Sequence, residues 1–145
     1  MTQKRIAIGS DHAGFSLKEK LREDGSKGVE WVDCGTYDES SVDYPDFAEA
    51  VCQKILNNET QLGVLVCSTG VGISIAANRH KGIRAALCTD ATMARLCREH
   101  NDANVLVLGA KIIGTEVAAE VLDVFLKTPF SEGERHQRRI CKLDN

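Results

Sequence analysis

Gly63-Val64-Leu65-Val66-Cys67-Ser68-Thr69-Gly70-Val71-Gly72 is the stretch on which the fold turns. Its first five residues are apolar without alternation, as a strand must be when helices cover both of its faces. A half-exposed strand would carry polar residues at every second position. The reading is a central strand, followed by a glycine-rich turn and a helix over residues 73–78.

Working outward, residues 5–9 and 29–32 read as strands before this point, and 83–88 and 104–109 as strands after it. Leu17 and Leu21 at i, i+4 give a helix over 15–23, with Gly25 and Gly28 as its exit. Asp43-Tyr44-Pro45 opens a helix with proline in the first turn and Phe47, Val51 and Ile55 on one face, closed by Asn57-Asn58. Residues 90–99 predict a helix that turns Met93, Ala94 and Cys97 inward and carries His100-Asn101 near its C-terminus. Residues 114–126 predict an amphipathic helix with Val117, Val121 and Val124 beside Ala118, Leu122 and Phe125. The polar tail 131–142 reads as one more helix outside the main unit.

Five strands alternating with helices predict a Rossmann-like α/β fold, a three-layer α/β/α sandwich on a five-stranded parallel sheet. No linker or internal repeat divides the chain, so residues 1–145 read as one domain. In such a fold the loops after strand C-termini gather at one edge, where ligands bind. That edge collects Asp11, His12, Thr36, Cys67 to Gly72, Thr89-Asp90 and Gly109-Ala110-Lys111.

Composition narrows the function classes. Apolar residues make up 43% and charged residues 27%, which excludes a disordered or collagen-like chain. A net charge of −3 and few aromatic residues, one Trp, two Tyr and four Phe, disfavour a nucleic-acid platform. No apolar run approaches the roughly 20 residues needed to cross a bilayer, and no secretion signal follows Met1. Cys34, Cys52, Cys67, Cys88, Cys97 and Cys141 contain no CxxC pair, and several lie in aliphatic runs. They read as reduced thiols of a cytoplasmic protein.

The turn after Cys67 carries the strongest chemical signal. Glycines let the chain pass close to a ligand, and the free N–H groups of a first helical turn favour an anion or an oxygen becoming one. The same field would stabilise a thiolate at Cys67. That help matters, because an ordinary thiol of pKa about 8.5 is only about 3% ionised at neutral pH. The plainer reading is a buried strand-end cysteine beside a tight turn. The turn lacks the Lys-Ser/Thr ending of a Walker A loop and the third glycine of a dinucleotide fingerprint.

Asp11-His12 after the first strand can shuttle a proton or orient a sugar hydroxyl, or be no more than a capping Asp with an exposed His. His100 near a helix C-terminus suits a general acid, or an ordinary C-cap histidine. His80, between Arg79 and Lys81, reads as a surface turn residue without a task. In the tail, Arg135, Arg138 and Arg139 fall at i, i+3, i+4, close enough to share one anion if they are not simply a solvated face. His12, Cys67, His100 and His136 have no zinc-ligand spacing, so no metal is expected from them.

The sequence resembles the ribose-5-phosphate isomerase B family, with the related galactose-6-phosphate isomerase subunits, over nearly its whole length. The resemblance is carried by Gly9-Ser10-Asp11-His12-Ala13-Gly14, Val42-Asp43-Tyr44-Pro45-Asp46, residues 67–78, residues 98–104 and Gly133-Glu134-Arg135-His136-Gln137-Arg138-Arg139. It implies reversible aldose–ketose isomerisation of a sugar phosphate, without metal or nucleotide, in carbohydrate metabolism. Cys67 matches the family's base, which moves a proton between C2 and C1 through a cis-enediolate. Thr69 and the loop Ser68, Gly70, Val71, Gly72, Ile73 and Ser74 match the anion hole around the substrate. His100 matches the ring-opening group, Asp11 and His12 the positions near the ring oxygen and hydroxyls, Tyr44 a residue beside the sugar, and Asn101 a hydrogen-bond partner. His12, Arg135 and Arg139 match phosphate contacts, with His136 assisting. One branch of the family uses a glutamate base at the position of Ile73, which leaves Cys67 as the base here.

Lys111 departs from the arginine that many members carry as a phosphate contact across the interface, keeping charge but losing the bidentate fork. Family members are at least dimers with shared sites, so a homodimer or homotetramer is expected, with the tail helix at the subunit interface. Ribose 5-phosphate to ribulose 5-phosphate is the first choice of reaction. Isomerisation of a tetrose, deoxy- or hexose phosphate is the alternative, a noncatalytic sugar-phosphate sensor stands behind it, and a nucleic-acid-binding protein is third.

Overall fold

The computed structural model describes residues 4–24 and 28–145. Its strands are β1 (Lys4–Ser10), β2 (Val29–Asp33), β3 (Leu62–Cys67), β4 (Ala85–Leu87) and β5 (Val105–Gly109). Its helices are α1 (Phe15–Glu23), α2 (Tyr44–Leu56), α3 (Val71–Asn78), α4 (Ala91–Asn101), α5 (Thr115–Lys127) and α6 (Glu134–Asp144). All strand pairs are parallel, in the order β2-β1-β3-β5-β4. The Rossmann-like α/β/α sandwich is therefore the fold.

Strand order and layer are linked through handedness. A right-handed crossover that steps one way along the sheet puts its helix on one face, and a step the other way uses the opposite face. The steps β1 to β2 and β4 to β5 run one way; β2 to β3 and β3 to β4 run the other. The core divides to match. Ile6, Ile8, Val64, Val66, Leu106 and Leu108 pack with Leu17 and Leu21 of α1, Ala94 and Cys97 of α4, and Val121 and Phe125 of α5. On the other face Ala7, Leu65, Cys67, Val105 and Val107 pack with Val51 and Cys52 of α2 and Ile73 and Ala77 of α3. Each fully buried aliphatic side chain here contributes about 1.5–3 kcal/mol relative to exposure.

The chain leaves β1 toward one face and β3 toward the other, although the two strands are neighbours. A crevice opens at such a reversal, outside the C-terminal ends of the strands. The residues that border it are Asp11-His12 and the turn after Cys67.

Several details differ from the periodicity reading. Helix α3 starts at Val71, inside the glycine-rich turn, because Gly70 takes a left-handed φ of 82° and ends the turn early. The tail helix begins only at Glu134, behind Gly133, and not at Ser131. Periodicity turns Met93 inward, yet it is 42% exposed, and Val117 is exposed too. Their neighbours Ala94 and Ala118 occupy the buried stripe, where small residues let α4 and α5 approach the sheet. His80 is not idle: it bonds Glu49 of α2 and meets the Ala77 carbonyl of α3. Gly25 lies outside the described residues.

Candidate active site

Cys67 ends β3 on the α2/α3 side of the sheet and is 4% exposed. The Gly70 amide donates to its Sγ at 3.2 Å. That contact requires the chain to double back within three residues, which the positive φ of Gly70 permits. The turn is also clamped from outside. The Ala110 amide donates to the Cys67 carbonyl and the Lys111 amide to the Ser68 carbonyl, each at 2.9 Å, so the end of β5 holds the turn in place. A Cβ on Gly109 would lie 2.4 Å from the Thr69 carbonyl oxygen, so only glycine allows this approach.

Thr69 is exposed and its Oγ1 accepts from the Val71 amide at 3.2 Å. The Ser74 hydroxyl donates to the Val71 carbonyl at 2.8 Å, and the Ser74 amide to the Gly70 carbonyl. Gly72 and Ile73 complete the first turn of α3, with Ile73 buried beneath it. Amides of this first turn lack helical partners and carry the positive end of the helix dipole. A cysteine sulfur and the N-terminal amides of α3 thus share one rigid junction. That arrangement can accept a proton at sulfur and stabilise an oxyanion nearby.

Two further walls border the junction. Asp11 accepts the Gly14 amide at 3.0 Å and so closes the turn before α1, whose N-cap is Gly14 and not Asp11. His12 Nδ1 accepts the Val42 amide at 3.1 Å. Tyr44, at the start of α2, lays its ring over Gly72, where an added Cβ would come within 2.6 Å of Cζ. Asp11, His12 and residues 41–46 line one shallow depression. Lys111 is exposed at the end of β5, its backbone beside Ser68 of the same chain.

The remaining predicted residues lie elsewhere. Helix α4 starts after β4 and runs back against it, so its 11 residues carry His100 and Asn101 about 15 Å toward the N-terminal edge of the sheet. The Arg84 side chain, just before β4, donates to the Asn101 carbonyl there. Ser131 ties the following segment to the Glu99 carbonyl, and α6 then lies against α4. His100 and His136 stack with centroids 4.4 Å apart. The loss of water around this stack, and then the charges of His100, Arg135 and Arg139, push the His136 imidazole below its ordinary value. Arg135 and His136 line a second depression with His100, while Arg139 is exposed one turn further along α6. One chain therefore places the two groups of predicted residues at opposite edges of the sheet. The sequence names the residues of both without separating them in space. Sequence reasoning also misses the Val42 amide and the lacing of β5 to the turn, since backbone groups leave no residue signature.

A parallel α/β/α sandwich with a cysteine and a helix N-terminus at its strand reversal is the architecture of a small-molecule site. The chain matches the family described as Ribose/Galactose Isomerase over residues 6–143 and belongs to it, a family of isomerases acting on sugar phosphates. Among solved structures, it is similar to a ribose 5-phosphate isomerase from Thermotoga maritima, with 58% identity, 97% of each chain covered and a TM-score of 0.95. It is 44% identical to ribose-5-phosphate isomerase B of Escherichia coli, covering 94% of this chain and 92% of that one. The galactose-6-phosphate isomerase subunit LacB of Clostridium acetobutylicum is 41% identical, over 96% of this chain and 81% of its own. No helix among the described residues is long and apolar enough to cross a membrane.

Proposed function

We propose that this chain interconverts ribose 5-phosphate and ribulose 5-phosphate, with Cys67 as the base. The observation that carries the reading is the Gly70 amide directed at Cys67 Sγ at the mouth of α3. A thiolate there takes the proton from C2 of the open-chain aldose. The electron pair moves into the C1–C2 bond, and the carbonyl oxygen takes up negative charge facing Thr69 and the α3 amides. Return of the same proton to C1, with transfer of the C2 hydroxyl proton to the C1 oxygen, gives the ketose. No net oxidation occurs.

Ring opening and phosphate binding need groups that the same chain holds at its far edge. A second copy supplies them: its His100 opens the ring, its Asn101 orients a hydroxyl, and its Arg135, His136 and Arg139 bind the phosphate. His12 and Lys111 contribute from the Cys67 side. The site is then complete only in a homo-oligomer, which the family likeness supports. The exposed Val71, Ile75, Ile112 and Met93 near the junction supply an apolar surface for such a contact.

Turnover measured on four-, five- and six-carbon sugar phosphates tests the proposal. Ribose 5-phosphate should give the highest kcat/KM. No activity on it, with activity on a hexose phosphate, would reject the assignment.

A further inference from the structure

We propose that His12 is locked in a single neutral tautomer, proton on Nε2, by the backbone N–H of Val42, which makes Val42 a positioning residue. An amide N–H can only donate, so the Nδ1 that receives it at 3.1 Å carries a lone pair. The proton of the neutral ring then resides on Nε2. His12 borders a depression shared with Tyr44, whose ring lies over Gly72 of the Cys67 junction, and there Nε2 is a hydrogen-bond donor of fixed direction. It meets an oxygen lone pair of the substrate, on phosphate or ring, and does not compete with Cys67 for a carbon-bound proton.

The segment that brings Val42 to the ring is fixed at both ends. At its start Lys18, wholly buried, reaches Asp33 at 2.7 Å between the rings of Phe15 and Tyr37. The same Asp33 oxygen accepts the Gly35 amide at 3.0 Å, and Thr36 bonds back to Ser10. An ion pair with its lysine wholly buried is a costly way to gain stability and acts better as a positioning device. At its far end the chain enters α2 at Tyr44, against Gly72. Between them residues 37–41 are mostly exposed, with Ser16 to Glu39 at 3.0 Å as a further tie. The lock on His12 therefore depends on one amide hydrogen presented by a loop held at both ends.

The substrate contact rests on the isomerase proposal, whereas the tautomer does not. Long-range proton–nitrogen NMR of the ligand-free protein near neutral pH should show His12 Nδ1 unprotonated and Nε2 protonated. V42P deletes the donor, and V42A keeps it. V42P should let the two ring nitrogens average and raise KM for ribose 5-phosphate roughly tenfold, with kcat changed less than about twofold. V42A should do neither. A protonated Nδ1 in the parent protein, or a folded V42P that matches V42A in nitrogen shifts and KM, overturns the inference. If V42P does not fold, the parent spectrum decides alone. If no variant turns over any sugar phosphate, the isomerase reading fails, while the nitrogen spectrum still upholds or overturns the tautomer.

Discussion

The junction after β3 and the arm formed by α6 are built on opposite principles. Around Cys67 the backbone is packed so closely that Gly14, Gly70, Gly72 and Gly109 leave no room for a methyl group without displacing a neighbour. Helix α6 buries none of its residues and joins its own chain through the His100 stack, the Arg84–Asp144 pair and a few contacts with α4. If Cys67 is the base and α6 binds the phosphate, as proposed, the difference separates chemistry from recognition. A proton transfer needs its base and its oxyanion donors set before substrate arrives. A cationic arm needs reach, and it would gain order on meeting phosphate and a neighbouring surface.

The strongest attempt to break this division is C67A. Turnover should fall by at least about a thousandfold while the thermal transition stays close to that of the parent, since a base has been removed from an intact fold. Residual activity near the parental level would remove Cys67 from the chemistry. Next comes mixing. C67A and H100A chains, each inactive, should regain about a quarter of parental activity when co-refolded, because half of randomly formed dimers hold one intact composite site. No recovery despite mixed dimers would return both half-sites to one chain.

A third pair of variants separates stability from affinity. G14A places a Cβ 2.4 Å from the Val66 carbonyl oxygen, so unfolding should be easier by at least about 2 kcal/mol. R139A on the exposed arm should leave stability within about 0.5 kcal/mol while KM rises about tenfold or more. Denaturant melts beside steady-state kinetics would show whether the two effects fall on opposite halves.

The smallest effect concerns His80 and Glu49, which tie α3 to α2 behind the junction. Hydrogen bonding to His80 lowers the Glu49 carboxyl below its ordinary 4.5. For His80, burial favours the neutral ring, but the Glu49 and Ala77 contacts outweigh it and raise the imidazole above 6.5. A raised imidazole gives stability that is complete below 6.5 and disappears as pH climbs through its folded value. A lowered carboxyl gives stability that is complete above 4.5 and disappears as pH drops through its own. H80Q should therefore differ most from the parent between about pH 4.5 and 6.5, and the gap should close on the alkaline side. A difference independent of pH would deny the ion pair.

Much of this is legible in the sequence because apolar continuity reports burial directly. Gly63 to Cys67 reads as a central strand, and β3 lies between β1 and β5. Strand order is not legible, since it depends on which way each crossover steps. Met93 and Val117 escape the periodicity reading because a three-residue spacing does not tell which of two adjacent residues takes the buried stripe when the neighbour is alanine. At the site, residue types name the participants, but only the antiparallel run of α4 against its strand reveals that His100 and Cys67 of one chain face away from each other.

On the proposed shared site, the bare flank of α6 would make output a function of how crowded the solution is. If recognition is lent by a neighbour, diluting the protein below the dissociation constant of its assembly should silence it while circular dichroism stays unchanged, and adding substrate should draw the subunits together again by mass action. A cell would then hold a reserve of folded, idle chains.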